Sequence, residues 1–303
     1  MMTGLLKFLN ARSLLILASG VTTGLVFPAL ADFFRPLLGP SVFIFLLGTF
    51  LRADPSALRT ALGNLRAIVW FPALIILGTP ALLAAGLTVF GVESFLVTAI
   101  VLTAACPPST ANAPMARALG GDHTTALVII LVCTFLSPLS IPLIASHWLN
   151  LDLSASILGR NVAFFVVGSG ALAIIAIVFA KPIVDRSGDM VDGIVTVALV
   201  VFAIGCMDNV QSQIIDNPMR AALMLAVAYT INIVSFMLGA FMSRGNICER
   251  TTYGFPLANR NVGLVWAALG STIDPTITLY FALTQVPIFT MPAMLEFCSR
   301  RIN

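Results

Sequence analysis

Arg260 stands between Asn259 and Asn261 in the stretch GFPLANRNVG (254–263), inside an otherwise apolar run. Arginine offers a planar fork of donors suited to carboxylate, sulfonate or phosphate, and it cannot deprotonate to escape desolvation. A cation at bilayer depth is expensive enough to mark a site with a purpose. Half a chain earlier, CPPSTANAP (106–114) interrupts a second apolar run. There Pro107, Pro108 and Pro114 remove backbone donors and disfavour helical geometry in the residues before them, as Pro256 does in the later stretch. Helices that open at these places free their carbonyls, which together with Ser109, Thr110 and Asn112 suit a cation or a polar solute. Inside a bilayer, backbone leaves helical geometry only where it is buried in protein or lines an aqueous cavity. Matched breaks in two halves of one chain therefore mark a candidate solute site, and the expectation is a transporter.

The same residues have plainer readings. A proline kink satisfied by neighbouring Ser and Thr is common in membrane helices. Arg260 can cap the carbonyls of opened helices, contact an anionic solute, or do both. Cys106 is either a thiolate ligand for a soft species such as arsenite or a small residue that lets helices approach. Gln285, followed by Pro287, either faces a central cavity or makes an ordinary interhelical hydrogen bond. Trp70, Trp148 and Trp266 read as interfacial or packing aromatics. The five cysteines are odd in number and scattered, which suits small hydrophobes and not disulfides. His123 and His147 fall at span ends without metal-ligand spacing, so no metal or other cofactor is expected, sodium being left open.

Of the 303 residues, 59% are hydrophobic and 10% charged, and the mean hydropathy is +1.02. Such a chain has too little polar surface for a soluble globule; it is expected to be an all-α polytopic membrane protein with the lipid bilayer as its solvent. No basic cluster suggests a nucleic-acid face. No GxSxG, metal set or paired acid residues point to an intramembrane enzyme. Apolar stretches punctuated by charge and turns predict ten spans, at 13–30, 36–51, 67–87, 94–118, 123–146, 161–180, 190–207, 218–243, 251–270 and 277–298. The interrupted fourth and ninth are each the penultimate member of a set of five. Because five is odd, a second copy enters the membrane from the opposite side, which predicts an inverted repeat of 1–150 and 151–303.

With a cytoplasmic N-terminus, twelve Lys and Arg fall on that face and three (Arg35, Arg160, Arg220) on the other, Arg260 being set aside. This bias predicts both termini in the cytoplasm and the charged linker 181–192 on the same side. Lys7 and Arg12 ahead of the apolar run 13–28, with Ala29-Leu30-Ala31 after it, also resemble a signal peptide. The run is read as the first span, since its removal breaks the repeat.

The run ACPPSTANAPMARALGGDHTTALVIILVCTFLSPLSIPLI resembles the fourth and fifth helices of the bile acid:sodium symporter family, and NRNVGLVWAALG is similar to its ninth-helix pattern QNxGLA. The resemblance implies a core of spans 3–5 and 8–10, whose unwound fourth and ninth helices cross, beside a panel of spans 1, 2, 6 and 7. It also implies transport of a small organic anion or amphiphilic solute across a cell (inner) membrane, with sodium-coupled symport or arsenite-type efflux as alternatives. Where sodium-using members supply Ser and Asn in the fourth span, hydroxyls in the fifth, and Glu and Gln in the ninth, this chain has Asn112, Ala113, Ala126, Ile130, Pro256 and Arg260. An Arg charge about 5 Å from a sodium ion repels it by roughly 3 kcal/mol at an effective dielectric of 20. The expectation is that the guanidinium stands in for bound sodium. A lone anion entering a negative-inside cell works against about 2.3 kcal/mol per 100 mV, so uncoupled flow runs outward. The sequence names neither the solute nor the oligomeric state.

Overall fold

The computed structural model describes residues 13–53, 59, 63–149, 154–243, 245–270 and 273–302. Lys7, Arg12 and Arg244, used above for orientation, lie outside the described residues, as do the side chains of Cys298, Arg300 and Arg301. Among the described residues the chain is helical throughout, without strands, and six helices are long and apolar enough to cross a membrane. It is a membrane-embedded, polytopic, all-α protein.

Its helices are α1 (Ser13–Val26), α2 (Pro28–Leu51), α3 (Arg66–Val89), α4 (Ser94–Ala105), α5 (Asn112–Ala118), α6 (His123–Trp148) and α7 (Ala155–Arg186). The remainder are α8 (Gly188–Gly205), α9 (Val210–Asp216), α10 (Pro218–Ser243), α11 (Ile247–Ala258), α12 (Val262–Leu269) and α13 (Pro275–Ile302). Several boundaries depart from the expected spans, and proline explains most of them. Phe27 takes φ −117°, ψ 78° because Pro28 follows it, so α1 stops there and α2 starts at once, well before residue 36. Helix α7 runs past its expected end and deforms at Ala180 (φ −131°, ψ 25°), just before Pro182. The expected fourth and ninth spans are each divided, as α4/α5 and α11/α12.

By contacts the chain forms two compact units. The first spans Met1–Ala53 and Phe164–Ala222, and therefore holds α1, α2, α8, α9 and most of α7. In it α8 packs against both α1 and α2. The approach is close: a Cβ on Gly24 would lie 2.5 Å from the Ile204 carbonyl oxygen, and one on Gly48 only 2.1 Å from Val195 Cγ2. Helices α2 and α8 run antiparallel, tied at one end by Arg35 to Asp208 and at the other by Arg52 to Asp192 at 3.0 Å. Both arginines are about half exposed, so these pairs fix register more than they stabilise.

The second unit, Asp54–Ala163 and Leu223–Asn303, holds α3 to α6, most of α10, and α11 to α13. Phe71, Ile75 and Ile76 of α3, Val128, Ile129 and Cys133 of α6, and Tyr253 and Leu257 of α11 pack together in an apolar cluster. Tyr253 packs against Phe71 with the rings tilted at 44° and their centroids 4.3 Å apart. Asp122 caps α6 by accepting from the Thr124 N–H at 2.8 Å, and Asn246 caps α11 through the Glu249 N–H at 3.1 Å.

Overpacking at the α1–α8 contact is directly testable. Gly24→Ala is expected to destabilise the protein by about 1–3 kcal/mol. Gly86→Ala, where a Cβ meets nothing within 4 Å, is expected to leave the thermal unfolding midpoint unchanged or slightly raised.

Candidate functional site

The first break follows from its prolines. Cys106 is extended (φ −62°, ψ 146°) because Pro107 follows, and neither Pro107 nor Pro108 can donate to continue α4. Pro114 does not break anything: it lies in the first turn of α5, where a missing N–H costs no intrahelical bond. Pro256 likewise lies within α11, which continues to Ala258. The second break is made by Asn259 (φ −96°, ψ 114°) and by Asn261, which precedes α12.

The two breaks pair with each other. Pro108 and Arg260 face one another in an isolated antiparallel bridge. Its flanking hydrogen bonds run from the Ser109 N–H to the Asn259 carbonyl at 2.9 Å and from the Asn261 N–H to the Pro107 carbonyl at 2.7 Å. The facing residues exchange no backbone bond, which is why proline fits here. Asn112 Nδ2 adds a 3.0 Å bond to the same Asn259 carbonyl.

The Arg260 side chain is 5% exposed. Its Nη1 donates to the Ile75 carbonyl (3.1 Å) and the Cys106 carbonyl (3.3 Å), and its Nη2 to Thr79 Oγ1 (2.9 Å). The Ile75 carbonyl is available for a reason visible in α3. A π-turn at Leu74–Gly78 sends the Thr79 N–H to Leu74, and Pro80 has no N–H to offer. Thr79 Oγ1 also donates to Ile75 at 2.8 Å, so the hydroxyl and the guanidinium share one carbonyl. Cys106 lies at the negative C-terminal end of α4, and α11 ends beside Arg260 as well. Among the described residues Arg260 has no carboxylate partner; carbonyl and hydroxyl oxygens balance its charge.

Asparagines complete the crossover. Asn232 of α10 donates to the Ala258 carbonyl (3.3 Å) and to Asn259 Oδ1 (2.8 Å), and Asn259 Nδ2 approaches Met115 Sδ at 3.7 Å. The buried Asn112 Oδ1 and Asn261 Nδ2 have no protein partner. The structure therefore brings Arg260, Asn259, Asn261, Asn112, Pro107, Pro108 and Ser109 together. Thr110 is half-buried beside them in the first break, and Ser109 Oγ accepts from the Ala111 N–H at 3.4 Å. Gln285 stays on its own helix, donating to the Phe281 carbonyl at 3.3 Å. Cys106 is fully buried and donates to Leu102 at 3.1 Å, as a packing residue does. Trp70 is 71% exposed, whereas Trp266 packs edge-on against Phe281. Sequence reading passed over Ile75, Thr79, Asn232 and Met115. The Thr79-Pro80 pair and a lone Asn within an apolar helix were the available signals.

Comparison with known proteins adds no family: no family model matches the chain, and no curated protein matches it.

Removing the guanidinium or its hydroxyl partner leaves buried oxygens or N–H groups unpaired. Arg260→Gln and Thr79→Val are each expected to lower stability by about 1–3 kcal/mol. In a double-mutant cycle read by thermal unfolding their coupling is expected to reach about 0.5–3 kcal/mol. Simple additivity would show that the two side chains do not act together.

Proposed function

We propose that this chain is a secondary transporter that carries a small organic anion or amphipathic carboxylate across the cell (inner) membrane by alternating access, without sodium. Arg260 serves as the fixed positive centre of the crossover. The observation that carries this reading is the meeting of two broken helices at a buried arginine whose partners are all oxygens. Carbonyl and hydroxyl oxygens gathered at a helix break are the ligands a hard cation takes in a membrane protein, and here a guanidinium engages them. Three bonds use three of its five N–H groups, which leaves donors for a solute anion. Asn112 and Asn261 offer one further acceptor and one further donor at the same place.

On this reading the chain is a divergent relative of the bile acid:sodium symporter family, with ten spans in an inverted repeat and both termini cytoplasmic. The two contact units group nearly the same stretches as the panel and core which that resemblance implies. Sodium-coupled symport is the competing mechanism; at the crossover oxygens sodium would have to displace a guanidinium held by three hydrogen bonds.

Flux into proteoliposomes tests the reading, using monocarboxylates, sulfonates and bile-acid-like amphiphiles as probes. Saturable anion uptake is expected, indifferent to replacement of sodium by choline. It should fall about tenfold or more in folded Arg260→Gln, the loss of a charged hydrogen bond to the solute. Uptake that needs a sodium gradient would establish symport instead, and no flux of any probe through folded protein would overturn the transport reading.

A further inference from the structure

Behind the crossover, within the second unit, lies a cavity of about 30 Å³ bordered by Thr103 of α4, Asn232 of α10, Ala258 and Arg260 at the second break, and Tyr280 and Thr284 of α13. That volume suits one or two water molecules. Two of the hydroxyls around it have already used their protons. Thr103 Oγ1 donates to the Ala99 carbonyl at 2.8 Å, and Thr284 Oγ1 to the Phe281 carbonyl at 2.6 Å. Both amide hydrogens of Asn232 are directed at the Ala258 carbonyl and Asn259 Oδ1. Asn232 is 5% exposed, and its Oδ1 has no protein partner. A buried acceptor left unpaired costs about 1–3 kcal/mol, so the site calls for a ligand that donates.

Two small ligands present positive charge or hydrogen to such oxygens: water, and a monovalent cation. Arg260 borders the same cavity, and its fixed charge disfavours a second cation there. We propose that this cavity is a hydration site, in which water donates to Asn232 Oδ1 and is held by the lone pairs of Thr103 and Thr284. Water bound there ties α4, α10 and α13 to the end of α11. The two carbonyls that close the broken half-helices are then supported differently: Cys106 by the guanidinium, and Ala258 by a hydrated asparagine. This assignment stands whether or not the chain transports an anion.

Radiolytic labelling of the full-length protein in detergent tests it, because water bound beside an aromatic ring yields hydroxyl radicals in place. Tyr280 borders the cavity at 1% exposure; its neighbour Phe281 is fully buried against Trp266 and serves as the control. Tyr280 is expected to oxidise promptly and Phe281 to stay unlabelled, equally in sodium, ammonium and choline chloride. Labelling should fall severalfold in Thr284→Val and in Thr103→Val, two near-isosteric changes that serve if Asn232→Leu fails to fold. Tyr280 labelled no more than Phe281 would overturn the hydration site. Labelling suppressed by sodium or ammonium, but not by choline, would overturn it in favour of a cation.

Discussion

A helix that stops inside a buried core leaves carbonyl oxygens that must find partners, and the crossover in the second unit answers that constraint. Helices α4 and α11 both stop there. Two backbone bonds join the breaks, and the Pro108–Arg260 pair lies between those bonds, in the one register that needs no proline N–H. The Arg260 guanidinium then takes the Cys106 carbonyl, and the Asn232 amide the Ala258 carbonyl. Among the described residues no carboxylate meets this buried cation, which is tolerable because its partners are oxygens at the negative end of a half-helix and at a π-turn that releases one more.

That arrangement also reconciles the two roles open to Arg260 from sequence. Capping carbonyls does not exhaust an arginine, since its fork has five donors and the protein uses three of them. The scaffold has already desolvated this fixed charge, so an anion binding there would bear only its own desolvation. A mobile sodium ion differs in this respect, because its occupancy varies with concentration and can be coupled to a gradient.

Much of this was legible in the chain. The prolines at 107 and 108 and the charge at 260 located both breaks, because proline chemistry is local and a buried charge is conspicuous. Pro114 and Pro256 were less informative than they looked, since a proline in a helix's first turn is harmless and one near its end shortens nothing. The partners of Arg260 were not legible. A backbone carbonyl has no residue signature, and Ile75 becomes an acceptor only through a π-turn and the proline five positions on. Cys106 and Gln285 each bond within their own helix, and the interhelical bond expected for Gln285 is not the one the structure shows. Span boundaries slipped where Phe27 ends one helix and Pro28 begins the next without a loop, so no polar gap announced the change.

The most direct measurement is the thermal stability of the purified protein in sodium chloride against matched potassium and choline chloride, because any ligand of the native state raises stability by mass action. With the guanidinium as the crossover's cation, the unfolding midpoint should be the same in all three salts. A sodium-specific rise in the wild-type protein would show that sodium binds despite Arg260, and would contradict the substitution of arginine for the ion.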